Sequence, residues 1–253
     1  MNYFEPKSAA ERYAKGRPYF HYQVIEKVRA YIKPYILFNK AIDIGCGTGL
    51  STIALKEIAR KIVGIDPSAE MIALAPKDPK IEYYVAPADC IPVRDQDFDL
   101  MTLCSVFHWI QQDQFFVEAN RILCPESWIV IYDNYFFAQM IENDGFQAWY
   151  REKYLPKYPS PPRNRAARNM EEFNFEGISF IHKEEYENVV KFSIEKLINY
   201  LITQSNIIFA VEKEGQSIST IYNWLLNEIK PFFINLTEAS FIFGGPIIYL
   251  RKQ

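Results

Sequence analysis

The sequence predicts an α/β protein built on a mostly parallel sheet with helices over both faces. Between residues 40 and 133, short apolar runs alternate with segments whose apolar residues recur at helical spacing. A glycine-rich turn, "DIGCGTG" (Asp43–Gly49), stands where the first of those runs hands over to a helical pattern. A chain of 253 residues with 49% apolar content is also long enough to bury a full core as one domain, with a smaller attached region.

The N-terminal "AERYAKGRPYF" reads as a helical cap, and residues 1–35 are assigned to it. "KAIDIG", "KIVGID", "IEYYVA", "FDLMTLC" and "WIVIYD" follow as buried strands, because near-continuous apolar runs are what a sheet covered on both faces requires. "STIALKEIAR", "SAEMIALAP" and "DQFFVEANRIL" carry apolar residues three to four apart and form the crossover helices. Right-handed crossovers then place a ligand at the carboxyl ends of the strands, within residues 36–135. After Asp133, "NYFFAQMIENDGFQAWYREKYLPKY" reads as an aromatic helix and "PSPPRNRAARN" as a loop, so residues 136–175 are expected to be a lid insertion. Residues 176–253 complete the single domain with a strand or hairpin ("GISFIHKEEYENVVKFS"), two helices and a last strand, "EASFIFGGPIIYLRK".

Twenty-eight Lys and Arg against 31 Asp and Glu give a net charge of −3, which argues against nucleic-acid and anionic-membrane partners. Four cysteines without a C-x-x-C pair, and three scattered histidines, indicate neither a disulfide framework nor a metal site. The N-terminus lacks the apolar core of a signal peptide, and no uncharged apolar run reaches the ~18 residues of a membrane span, so a cytoplasmic protein, plausibly a monomer, is expected.

Gly45, Gly47 and Gly49 permit positive φ and let a ligand lie against bare backbone. The dinucleotide fingerprint G-x-G-x-x-G needs a small residue where this chain has Leu50, which disfavours a nicotinamide cofactor. Asp43, just before the first glycine, suits a cationic ligand better than a pyrophosphate. The Cys46 thiol reads as a small filler, with no histidine near it in sequence to support a nucleophile.

Taken together, "DIGCGTG", "GIDPSAEMI" and "APADCIPVRDQDFDLMTLCSVFHWI" resemble the signature segments of class I S-adenosylmethionine-dependent methyltransferases, over roughly residues 10 to 135. The branch they are most similar to is the small-molecule type-11 group of trans-aconitate and malonyl carrier-protein methyltransferases. The resemblance implies a Rossmann-like sheet of seven strands with an antiparallel C-terminal strand. It also implies that Gly45, Cys46, Gly47 and Gly49 lie along the methionine part of the cofactor, and that Asp43 meets its ammonium directly or through water. Asp66 would accept both ribose hydroxyls and Asp89 the adenine amino group, with the Cys90 N–H facing a ring nitrogen, Met71 or Ile91 packing on the ring, and Ser105 under the site. Each has a plainer reading: Asp66 can cap the helix begun by "PSAEM", and Asp89 can be a turn residue before Pro92.

Around the reacting methyl, His108 is either a general base or a satisfied, partly buried histidine. Phe107 and Trp109 are core anchors or an aromatic wall for the sulfonium. Arg17 or Tyr13 is placed to close over the cofactor carboxylate, against the alternative of a surface helix. Trp149 and its aromatic neighbours either face an acceptor or complete a core, and Arg163, Arg165 and Arg168 form an anion clamp or a solvated turn. The expected function is methyl transfer to the oxygen or nitrogen of a small molecule, a carboxylate among the options, without a metal. The alternatives are a non-catalytic S-adenosylmethionine-binding protein and, behind it, an NAD-dependent oxidoreductase.

Overall fold

The computed structural model describes residues 6–32, 37–161 and 174–253. In chain order they form α1 (Lys7–Gly16), α2 (His21–Ile32), β1 (Phe38–Ile44), α3 (Leu50–Ala54), β2 (Ala59–Asp66), α4 (Ala69–Ile72), β3 (Ile81–Val85), β4 (Phe98–Cys104), α5 (Gln112–Ile122), β5 (Leu123–Tyr132), β6 (Tyr135–Met140), α6 (Gly145–Trp149), α7 (Leu155–Lys157), β7 (Asn174–Phe175), β8 (Ile178–Phe192), α8 (Ile194–Leu201), α9 (Ser205–Glu212), α10 (Ile218–Ile229) and β9 (Ala239–Lys252). The seven expected strands are β1 to β5, β8 and β9, and β6 and the two-residue β7 are additional. The described residues divide into a sheet unit (19–32, 37–134, 174–186 and 245–253) and an aromatic unit (6–18, 135–161 and 187–244).

In the sheet unit the strand order is β3-β2-β1-β4-β5-β9-β8-β7, with β1 to β5 parallel and β9 antiparallel to β5. Alternation along each strand sorts its side chains onto two faces. On one face Ile42, Ile44, Val63, Ile65, Met101 and Leu103 pack with the apolar stripe of α5, Phe115, Phe116, Ala119 and Ile122. On the other, Ala41, Ile62, Leu100, Val130 and Tyr132 pack with Val24, Ile25 and Val28 of α2. Burial on both faces explains why these strands read as unbroken apolar runs rather than alternating ones. The buried Lys252 ends β9 by donating from Nζ to the carbonyls of Asn120 (2.6 Å) and Leu123 (2.7 Å), which satisfies the last turn of α5.

The aromatic unit has its own core. Residues 135–140, expected to be helical, form β6 instead, pairing antiparallel with β9 from Tyr135↔Gly244 to Met140↔Phe241. Tyr-Phe-Phe has strong strand preference, and the neighbouring β9 backbone supplies the ladder that a local helical pattern cannot foresee. Helix resumes at α6 and runs through a π-helical turn (Tyr150–Tyr154) into α7. Phe146, Trp149 and Tyr154 are buried among Phe192, Tyr200, Phe233, Phe241 and Phe243, and the Trp149 Nε1–H donates to Glu228 Oε2 at 2.9 Å. This corrects the expectation of Trp149 against an acceptor. Its ring is consumed by the core and its one donor by a carboxylate, as a buried tryptophan requires.

Phe241 is fully buried and its ring contacts Phe136, Phe146, Phe192 and Phe233, with centroids 5.0–6.3 Å apart. Phe241→Ala is expected to destabilise the protein by about 3–5 kcal/mol through lost transfer energy and a residual cavity. Ile234→Ala, at a side chain 70% exposed, should stay within about 0.5 kcal/mol of the parent. Urea denaturation of both variants is the check, and equal effects would contradict the assignment of this core.

Candidate functional site

Strand register builds the site. Ile44 pairs with Ile65 and Leu103, and Asp66 with Val85, so the carboxyl ends of β1 to β4 form one edge of the sheet unit. The glycine turn, Asp66, the loop at residues 86–94 and Ser105 all leave from that edge.

Gly45, Gly47 and Gly49 have φ of 65°, 53° and 79°, the region where side chains are costly. A Cβ on Gly45 would lie 2.4 Å from Val106 Cγ2, so packing alone demands that glycine. Gly47 differs: a Cβ there would meet nothing within 4 Å, so its face is bare backbone open to a ligand. The Gly47 N–H donates to Asp66 Oδ2 at 2.9 Å, and Asp66 Oδ1 accepts from the Ser68 N–H at 2.8 Å. A carboxylate has about four acceptor positions, so two remain on Asp66 for hydroxyl donors. Its partial burial raises the carboxyl above the usual range, opposed by those two backbone bonds. Ser68 also caps α4, its Oγ accepting from the Met71 N–H at 3.3 Å, so the capping role weighed for Asp66 belongs to Ser68.

Asp43 departs from expectation. It is fully buried, with Oδ2 accepting from Ser51 Oγ (2.6 Å) and Thr52 Oγ1 (2.7 Å) and Oδ1 from Thr102 Oγ1 (2.9 Å). A carboxylate so enclosed braces the glycine turn from below instead of meeting an ammonium at its surface. Burial pushes its pKa up to about 6 against the pull of the three hydroxyls. Burial likewise raises the Cys46 and Cys104 thiols, which keeps them protonated and unsuited to nucleophilic work.

The loop after β3 begins beside Asp66, whose carbonyl accepts from the Ala86 N–H at 3.1 Å. Asp89 and Cys90 are exposed on it, while Ile91 and, from α4, Met71 are buried. Ser105 follows β4, exposed and with φ of 54°, and its N–H donates to the Tyr132 carbonyl at 3.0 Å. Phe107 is a core anchor, packed edge-on to Phe115 and Phe116. His108 and Trp109 are half-buried in the same 3-10 turn, ring centroids 5.0 Å apart. Under the sheet, His21 Nδ1 bonds the Tyr132 hydroxyl at 3.0 Å, and burial pulls that histidine down to about 3, leaving it neutral.

The sheet unit thus carries Asp43, Gly45, Cys46, Gly47, Gly49, Asp66, Met71, Asp89, Cys90, Ile91, Ser105, Phe107, His108 and Trp109. Arg17 belongs to the aromatic unit, where its Nη2 donates to the Thr203 carbonyl (3.0 Å) and its guanidinium stacks over Tyr13 (4.7 Å) and Tyr200 (5.4 Å). Arg163, Arg165 and Arg168 lie outside the described residues. Sequence reasoning missed Ser51, Thr52 and Thr102. A threonine inside the apolar run "FDLMTLC" was the available sign of a buried acceptor opposite it.

Because the folded-state pKa of Asp43 lies above the ordinary carboxylate value, the native chain holds this proton more tightly than the unfolded one. The stability it adds is present at low pH and lost as pH rises through about 6. Relative to Asp43→Asn, the parent should therefore lose roughly 2–3 kcal/mol between pH 4 and 7, at about 1.4 kcal/mol per unit. Denaturant titrations of both proteins across that range measure it, and a constant difference would refute the desolvated carboxylate.

Residues 42–131 match the family model described as a methyltransferase domain. A candidate methyltransferase of Dictyostelium discoideum is 30% identical over 114 residues, 45% of this chain and 43% of that protein. A candidate S-adenosylmethionine-dependent methyltransferase of Saccharomyces cerevisiae is 24% identical over 169 residues, 62% of this chain and 57% of its own. The chain spans about half the length of these curated relatives. Among solved structures, a candidate type II methyltransferase from Anaeromyxobacter dehalogenans superposes with a TM-score of 0.71 over 92% of this chain and 97% of the other, at 18% identity, a likeness of fold. Over residues 42–131 the chain is accordingly similar to a methyltransferase domain, and its relatives of that kind include a candidate S-adenosylmethionine-dependent one.

Proposed function

We propose that the whole chain is an S-adenosylmethionine-dependent methyltransferase acting on a small organic acceptor, with residues 36–135 doing the cofactor binding. The observation that carries this reading is the pairing at the sheet edge of Gly47, whose face is open, with Asp66, whose carboxylate holds the Gly47 N–H at 2.9 Å. A bare backbone turn receives the amino-acid end of such a cofactor, and a half-buried carboxylate with two free acceptor positions receives vicinal ribose hydroxyls. Asp89, the Cys90 N–H and the Met71 and Ile91 side chains take the base.

The cofactor supplies, when bound, an electrophilic methyl group on a sulfonium. The chain's own work is to bind, orient and exclude water, which converts an encounter into a positioned displacement. Ser105 and His108 leave β4 at the edge where an acceptor has to approach. A carboxylate acceptor needs no base, whereas a hydroxyl or amine acceptor would give up its proton to His108. Trans-aconitate-type and malonyl-carrier-type acceptors both belong to the first class.

Titration calorimetry with S-adenosylhomocysteine and with NAD tests the cofactor, and a metabolite panel read by mass spectrometry tests turnover. Binding of S-adenosylhomocysteine without turnover of any acceptor would favour the non-catalytic alternative. Asp66→Ala should weaken S-adenosylhomocysteine by roughly 2–4 kcal/mol, the loss of two charge-assisted bonds, and also destabilise the turn by leaving the Gly47 and Ser68 N–H groups without their acceptor. Parent-like affinity in that variant would remove Asp66 from the site.

A further inference from the structure

The loop at residues 86–94 has no regular backbone of its own, yet one ion pair on α5 grips it at both backbone groups of a single residue. Glu118 Oε1 accepts from the Ile91 N–H at 2.6 Å, and Arg121 Nη2 donates to the Ile91 carbonyl at 3.0 Å. The pair is internally bidentate, Arg121 Nε to Glu118 Oε2 at 2.8 Å and Nη2 to Oε1 at 2.7 Å. Arg121 Nη1 extends the grip to the Val93 carbonyl (3.0 Å) and Asp95 Oδ1 (2.5 Å). Glu118 is 8% exposed, which is unusual for a surface helix position and means that its charge is committed to this contact.

An ordinary i, i+3 pair on a helix stabilises that helix alone and by little. Here the two side chains, besides bonding each other, make three bonds to a loop remote in sequence, one through Glu118 Oε1 and two through Arg121. Glu118 takes the Ile91 N–H away from any ligand, and the Cys90 N–H just before it makes only a long bond, 3.4 Å, to the Pro87 carbonyl. Asp89 and Cys90, both exposed, stand immediately before the gripped residue.

We propose that Glu118 and Arg121 are positioning residues for purine recognition: through Ile91 they set the direction of the Asp89 carboxylate and the Cys90 N–H, and so the preference for a 6-amino purine. The proposal rests on the cofactor reading above. Neither side chain has to touch the ligand, and both act by removing the freedom of the backbone that does.

The test compares S-adenosylhomocysteine with S-inosylhomocysteine, which carries an oxygen in place of the amino group, by calorimetry on the parent, Glu118→Ala, Glu118→Gln and Arg121→Met. The parent should favour the amino form by about tenfold or more. Glu118→Ala should lose about tenfold in affinity for S-adenosylhomocysteine, and its preference should fall toward one. Glu118→Gln, which keeps an acceptor for the Ile91 N–H, should retain most of both. Arg121→Met frees the two carbonyls without unseating that acceptor and should show the same loss of preference, so it serves if Glu118→Ala does not fold. Hydrogen exchange of residues 86–95 in the ligand-free proteins should quicken in Glu118→Ala and Arg121→Met. Unchanged preference in folded Glu118→Ala or Arg121→Met, or weakening equal for both ligands, overturns the proposal. A parent that binds neither ligand overturns the cofactor reading and the purine assignment together, and the exchange measurement then reports separately whether the pair orders the loop.

Discussion

A carboxylate placed inside a parallel sheet is the constraint on which the site depends. Asp43 sits in β1 between Ile42 and Ile44, fully buried, where an uncompensated charge would cost several kcal/mol. Three hydroxyls from two other elements meet it: Ser51 and Thr52 from α3 and Thr102 from β4. Those bonds fix how α3 leaves the glycine turn and how β1 lies beside β4. The turn has little choice of path once its start, in β1, and its end, in α3, are tied to one side chain. Gly45 is then forced against Val106, and Gly47 is left with an open face. The openness that suits the turn to a ligand follows from interactions below it that touch no ligand.

The same economy runs along the edge. Asp66 holds the Gly47 N–H and, through its backbone carbonyl, the first residue of the following loop, so the acid is both a candidate ligand contact and the joint between the glycine turn and that loop. Farther along, an ion pair on α5 holds that loop. The glycine turn and the loop at 86–94 are thus each braced by a buried or half-buried charge, Asp43 for the one and the Glu118–Arg121 pair for the other, which is how a candidate site keeps its geometry before anything binds.

Much of this was legible in the sequence, and for identifiable reasons. The strands β1, β2, β4 and β5 are apolar runs bounded by turn residues, and burial on both faces writes that pattern directly, whereas β3, expected to be buried, lies at the sheet edge with only Ile81 buried. The glycine turn and Asp66 lie 21 residues apart, from Gly45, as a strand–helix–strand unit dictates. What escaped was set by partners distant in sequence. Tyr135–Met140 has a strand's composition but becomes one only because β9 offers a ladder. Trp149 looked available for a ligand because nothing local shows that Glu228 and a ring of phenylalanines claim it. Asp43 read as an acid facing a cationic ligand because its spacing from Thr102 carries no signal until β1 and β4 are known to be neighbours.

The aromatic unit shows how the two strands that close the chain's topology constrain it. β9 is one unbroken strand from Ala239 to Lys252, yet its first half pairs with β6 and its second with β5. β8 likewise runs from the sheet unit into the aromatic unit without a break. Within either ladder a shift of a single residue would invert every side chain and expose an apolar face. Phe241 and Phe243 in the first half and Ile247, Tyr249 and Leu250 in the second are all buried. Burial along each half therefore fixes the register of its own ladder, β6 with β9 in the aromatic unit and β5 with β9 in the sheet unit.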